Sequence, residues 1–154
     1  MISFTVPGIA RGKGRPRVAR RGAHIALYPD AKTASYEGLV SMTAQSALGG
    51  RSPMTGPLVL TLLVRITTPQ SISKSARQAM LSGQFAPTKK PDLDNVVKAV
   101  LDGCNGVAFQ DDKQVVEIHA GKTYAEAAGV DVVIEFAPIP PLAAAPNATT
   151  RSAA

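Results

Sequence analysis

Apolar and polar residues alternate along this chain with two different periods, and the period assigns each element. Ile2, Phe4 and Val6 alternate with Ser3 and Thr5. That is the two-residue repeat of a half-buried strand, closed by Pro7-Gly8. Leu58, Leu60, Leu62, Val64 and Ile66 repeat the pattern with Thr61 and Arg65 on the opposite face, the strongest strand signal in the sequence. Val116, Ile118 and Ala120 alternate with Glu117 and His119, and Val130, Val132, Ile134 and Phe136 with Asp131 and Glu135. Residues 24–28 predict a further short strand that ends before Pro29.

The helical period takes over elsewhere. Tyr36, Leu39, Val40, Thr43, Ala47 and Leu48 fall on one face, with Thr33 as the expected cap and Gly49-Gly50 as the stop. From Leu93 to Cys104 the apolar residues Leu93, Val96, Val97, Val100, Leu101 and Cys104 form one stripe. Residues 74–82 predict a short helix. Between the first two strands lies Arg11-Gly12-Lys13-Gly14-Arg15-Pro16-Arg17, then Arg20 and Arg21. Gly and Pro forbid a regular helix there and the like charges repel, so this reads as a mobile cationic loop. Strands and helices together give an α+β class: a small mixed β-sheet with two main helices packed on it. One domain is expected over residues 1–137. From Pro138 the Pro, Ala and Thr-rich sequence has too little bulky apolar surface to pack, and a disordered tail over 138–154 follows.

Composition narrows the function classes. Seventeen Lys and Arg against 11 Asp and Glu leave a formal charge of +6, which suits nucleic acid or an acidic membrane surface without choosing between them. The lone cysteine, Cys104, excludes an internal disulfide and a Cys-based zinc site; it sits in the apolar stripe and reads as a core residue. No apolar run is long enough to span a bilayer, and the N-terminus lacks the order of a secretory signal. A soluble intracellular protein, without membrane contact, is expected.

The chemistry gathers around the 93–104 helix. Asp92-Leu93-Asp94-Asn95 opens it, and Asp111-Asp112 stands just before a strand. One Asp at a helix start is explained by capping and by the helix dipole. Two, with a second acidic pair elsewhere, also match the oxygen-ligand sites that hard cations take. Asp94, Lys98 and Asp102 fall four residues apart along one polar stripe. Ordinary i,i+4 ion pairs on a solvated face explain that equally well, and spacing alone does not decide. His24 and His119 stand alone and read as surface or packing histidines, although His119 lies on a polar face near Asp112. The basic cluster Arg11, Lys13, Arg15, Arg17, Arg20 and Arg21 is a solvated loop, a localisation signal or a phosphate-binding patch; an acidic metal site in the same chain favours the last. No nucleophile elbow and no phosphate-cradling P-loop is present.

The motif Asp92-Leu93-Asp94-Asn95-Val96-Val97-Lys98, with Leu101-Asp102-Gly103 and then Asp111-Asp112-Lys113-Gln114-Val115, resembles the signature of RusA-type endodeoxyribonucleases. Gly12-Lys13-Gly14-Arg15-Pro16-Arg17 resembles the N-terminal region of the phage-borne branch of that family. The similarity covers roughly residues 4–136. It implies a homodimer that recognises four-way (Holliday) DNA junctions and nicks opposed strands in recombination and repair. The cofactor implied is Mg²⁺, with Mn²⁺ as a substitute, and no organic cofactor. Carried over by position, Asp92, Asp94 and Asp112 are metal-binding and catalytic carboxylates and Lys98 is the catalytic lysine. Asp102 and Gln114 take supporting roles, and the resemblance selects Asp112 over Asp111. Arg11, Lys13, Arg15 and Arg17 are then expected to contact DNA. Lys89 and Lys90, directly before Pro91-Asp92, would stand where scissile DNA approaches the metal. A bacterial or phage protein of the cytoplasm is implied. Two other readings stay open: a nuclease for flaps or forks, and a non-catalytic nucleic-acid-binding protein whose acids only cap a helix.

Overall fold

Strand β4 (Leu58–Thr67) lies inside the sheet because one of its faces is continuously apolar. The computed structural model describes residues 1–14, 17–21, 24–28 and 30–138, with backbone alone for 17–21 and 24–28. Around β4, the strands β1 (Ile2–Pro7), β6 (Gly129–Phe136) and β5 (Val115–Ala125) complete a sheet in the order β1-β6-β4-β5. β6 is antiparallel to both β1 and β4, with Ile2 opposite Ile134 and Leu62 opposite Val132. β5 runs parallel to β4, with Leu62 beside Ala120 and Thr67 beside Ala125. A parallel pair demands a long crossover, and that crossover carries α2 (Lys74–Leu81) and α3 (Leu93–Cys104).

Leu58, Leu60, Leu62 and Val64 of β4 and Val130, Val132 and Ile134 of β6 are buried on one face of the sheet. They share a single core with Tyr36, Val40, Ala44 and Leu48 of α1 (Ala31–Leu48) and Val96, Ala99, Val100 and Cys104 of α3. The α+β expectation of a mixed sheet carrying two main helices therefore holds. Phe109, on the loop after α3, fills the same core. Gly103 sets how closely the helices approach. A Cβ there would stand 2.7 Å from Val40 Cβ and 2.8 Å from the Glu37 carbonyl oxygen, so α3 lies directly against α1 only because residue 103 has no side chain. Cys104 is buried as expected, and burial pushes its thiol up to about 12.

Three expectations need correction. The mobile cationic loop ends earlier than expected: Arg17–Arg21 is a strand, β2, paired antiparallel with β3 (His24–Tyr28). Backbone pairing to the neighbouring segment fixes that conformation regardless of the charge its sequence carries. Thr33 does not cap α1. The helix starts at Ala31 with Asp30 at the cap position, and the buried Thr33 hydroxyl accepts from the Gly14 N–H at 3.1 Å instead. β5 continues five residues beyond Ala120, because its ladder with β4 runs on to Ala125 after the apolar alternation has stopped. The 74–82 helix forms as α2 with Ser82 as its C-terminal cap. Beyond Pro138, the expected tail lies outside the described residues.

Candidate active site

The turn before β5 explains its own motif. Asp111 caps the single 3₁₀ turn Asp112–Gln114: its carboxylate accepts from the Lys113 N–H at 3.1 Å and pairs with Lys113 Nζ at 2.9 Å. Those bonds to Lys113 hold the Asp111 carboxyl below the usual range. In return the Gln114 side-chain oxygen accepts from the Asp111 N–H at 3.0 Å, a reciprocal capping box. The Gln114 amide nitrogen donates to the Met54 and Gly56 carbonyls at 3.2 and 3.1 Å, fixing the turn to the segment that leads into β4. Asp111 and Gln114 are thus consumed by structure, and Asp112 is left exposed.

α3 supplies the other acids. Asp92 is its N-cap residue, without a side-chain capping bond, and Asp94 lies in its first turn; both are exposed. Among the described residues neither carboxylate has a hydrogen-bond or ion-pair partner. They are oxygen donors free for a hard cation, which asks one or two carboxylates of the protein when phosphate and water complete its shell. The i,i+4 pairs that would reduce the stripe to a solvated face do not form among the described residues. Asp102 binds Lys13 Nζ, and the exposed Lys98 pairs with neither Asp94 nor Asp102.

The N-terminal segment packs across this helix start. The Lys13 N–H donates to the Asn95 carbonyl at 2.9 Å, and a Cβ on Gly12 would meet Asn95 Cβ at 2.7 Å. Lys13 Nζ also stands 3.7 Å from Glu37 Oε1. The hydrogen bond to Asp102 raises the Lys13 pKa above the ordinary lysine value, against the desolvation that lowers it. Lys13 therefore ties the segment to α1 and α3. Beside it opens a cleft of about 410 Å³, lined among others by Arg11, Lys32, Lys90, Asp92 and Asn95. The Lys90-Pro91 bond at its rim is cis. Lys122 Nζ braces the approach to Asp92 by donating to the Lys89 and Pro91 carbonyls at 2.9 and 3.3 Å.

Of the residues singled out in sequence, the structure brings Arg11, Lys13, Lys90 and Asp92 to one cleft. Asp94 and Lys98 lie on the exposed side of the same helix, and Lys89 is exposed just before it. Arg15 and the side chain of Arg17 lie outside the described residues. Lys32 was missed: an isolated lysine in the first turn of α1 carries no signal until the cleft is seen. His119 is exposed, its Nε2 2.8 Å from Glu117 Oε1. Asp112 does not join the others, and among the described residues no three Asp, Glu, His or Cys side chains are grouped to hold a metal ion.

A family model described as Endodeoxyribonuclease RusA matches residues 7–135. The class is thereby a nuclease acting on DNA. More narrowly, the chain belongs to the RusA endodeoxyribonuclease family, as the residues around α3 imply. It is similar to a Bacillus subtilis (strain 168) protein described as "Uncharacterized protein YqaN", with 35% identity over 135 residues, 86% of this chain and 94% of that one. No helix among the described residues is long and apolar enough to cross a membrane.

Proposed function

We propose that this protein is a divalent-metal-dependent endonuclease that resolves four-way DNA junctions by paired nicks in opposed strands, acting as a homodimer in recombination and repair. The observation that carries the reading is the cleft at the start of α3, where Asp92 stands among Arg11, Lys32 and Lys90. A purely architectural basic patch has no use for free carboxylates there, since acids repel phosphate. The family membership supports DNA as substrate.

Asp92 and Asp94 are the residues that would hold Mg²⁺ or Mn²⁺, which when bound acidifies water and polarises the phosphoryl group. Arg11, Lys32 and Lys90 would seat the phosphates on either side of the scissile bond. The first-turn N–H groups of α3 add partial positive charge at the same place. Lys98, in the second turn of α3 and without an ion-pair partner among the described residues, is available to a phosphoryl oxygen as its negative charge grows. Asn95, fixed by the Lys13 N–H, holds the basic segment over the cleft.

The deciding experiment presents a synthetic four-way junction, a flap, a fork and plain duplex to the full-length protein with Mg²⁺, Mn²⁺ or EDTA. Symmetric nicks in opposed strands of the junction, lost in EDTA, are expected. Preferential cutting of flaps or forks would reassign the substrate, and metal-independent binding without cutting would leave only a DNA-binding protein.

A further inference from the structure

A second cleft lies directly beside the one that holds Asp92. Ile9, Arg11 and Lys32 line both, so these three residues form the wall between them. The second cleft has a volume of about 410 Å³, within the range of pockets that enclose a small organic group. Beyond the shared wall it contains no residue that the cutting reaction uses. Its length is set by α1. Lys32, Tyr36 and Leu39 follow one another at helical spacing on one face, and the rise from first to last is roughly 10 Å.

The shared wall is cationic and the rest of the lining is largely apolar. Away from Arg11 and Lys32 stand Pro7, Leu39 and Tyr36, with Ile9 72% exposed beside them. Tyr36 is only 5% exposed, and its hydroxyl is buried without a hydrogen-bond partner among the described residues. Packing accounts for the ring, which shares the core with Val40 and Ala44. It does not account for the hydroxyl, since phenylalanine would fill the same space. Buried polar groups nearly always find a partner, so an unpaired phenol lining a cleft points to a partner from outside the chain. Burial pushes the Tyr36 hydroxyl up to about 12. It therefore keeps its proton at neutral pH and can both donate and accept.

We infer that the second cleft takes the base of an unstacked nucleotide next to the scissile phosphate, and that the Tyr36 hydroxyl reads that base by a hydrogen bond to its edge. This rests on the nuclease reading above and gives that site a means of telling one base from another. The two clefts match the two halves of a nucleotide: cations on the wall for phosphate, apolar side chains and one buried polar group for the base. A phosphate seated on Arg11 and Lys32 has Asp92 on one side of it and Tyr36 on the other. Plain duplex keeps its bases paired and stacked and offers the cleft nothing, whereas bases at a branch point unstack at less cost. A cleft built round a hydrogen-bonding group rejects a base whose edge leaves that group unpaired.

Fluorescence and cutting test it separately. Four-way junctions carry 2-aminopurine, which brightens when it leaves the stack, at each position around the branch point in turn. Binding of the full-length protein in EDTA is expected to brighten one position beside the nick. Ser35→Phe, at an exposed position of α1 that lines the cleft, should fill it and abolish the brightening. In Mg²⁺ the wild type should cut junctions with one base at that position faster than the other three. Tyr36→Phe should reduce that preference about fivefold to tenfold, the worth of one neutral hydrogen bond. Its melting temperature should hold, because the hydroxyl it removes has no partner among the described residues. A lower melting temperature, an equal loss for all four bases, or no base preference in the wild type would each overturn the role of the hydroxyl. Brightening at no position, or brightening undiminished in Ser35→Phe, would overturn the base site and, with wild type cutting normally, leave the nuclease reading standing. Were wild type to cut no DNA at all, the nuclease reading would fall while the fluorescence in EDTA still decided whether a base enters the cleft.

Discussion

Asp111 and Asp112 are adjacent, chemically identical and differently used. Asp111 spends both oxygens on Lys113, whereas Asp112 is left exposed. Asp92 and Asp94 have no partner among the described residues. Replacing Asp92, Asp94 or Asp112 with Asn should therefore leave the fold intact and abolish cutting. Junction binding in gel shifts should hold or tighten, because a charge that repels phosphate is gone. Asp111→Asn should behave differently, loosening the turn and lowering thermal stability. A variant at 92, 94 or 112 that still cuts near the wild-type rate would remove that residue from the site. Lys98→Ala tests the other half of the chemistry. If its charge serves the transition state, single-turnover cutting should fall on the order of 10²–10³-fold with little change in affinity. A loss of stability alone would make it a surface helix residue.

At the scale of elements, the α1–α3 contact is the least forgiving. Gly103→Ala would push a methyl into Val40 and the Glu37 carbonyl, and backbone on one side leaves no easy escape. A cost of about 1–3 kcal/mol is expected, visible as a lower urea midpoint at unchanged slope. This contact also shows what sequence makes legible. The apolar stripe of α3 gave its bounds, Leu93–Cys104, because burial and the helical period coincide there. The alternation on β4 did the same. β2 and the far half of β5 were not legible, since partner strands define them and their own side chains carry no period. Thr33 looked like a cap until its hydroxyl was found bonded to Gly14, a contact nineteen residues away. Helix starts read from local pattern fail where a distant segment claims the capping group.

For the whole molecule, charge is the readable quantity, and position within the site is the hidden one. A formal charge of +6 pointed to an anionic partner, but only the fold shows that Arg11, Lys32 and Lys90 ring one cleft while Lys13 is bound to Asp102. The motif likewise named Asp92, Asp94 and Asp112 without showing that Asp92 lines this cleft and Asp112 does not. Arg11→Ala with Lys90→Ala should weaken junction binding and flatten the plot of log affinity against log salt by about 1.8 in slope, if each cation meets one phosphate. Lys13→Ala should flatten it less and cost stability instead. An unchanged slope in the double variant would place the DNA elsewhere.

The antiparallel pairing of β1 with β6 sets Ile2 beside Ile134, so the first and last strands of the fold begin and end as neighbours. Covalent order and spatial order are then nearly independent here. A short linker from residue 136 back to residue 2 would close the backbone into a ring, and the ring could be cut at Gly83, an exposed turn between α2 and α3. Such a permuted chain would keep every ladder of the sheet while reversing which half is synthesised first. It would also put the acids of α3 near the new beginning, and move any fused tag from the Asp112 end of the sheet to the opposite one.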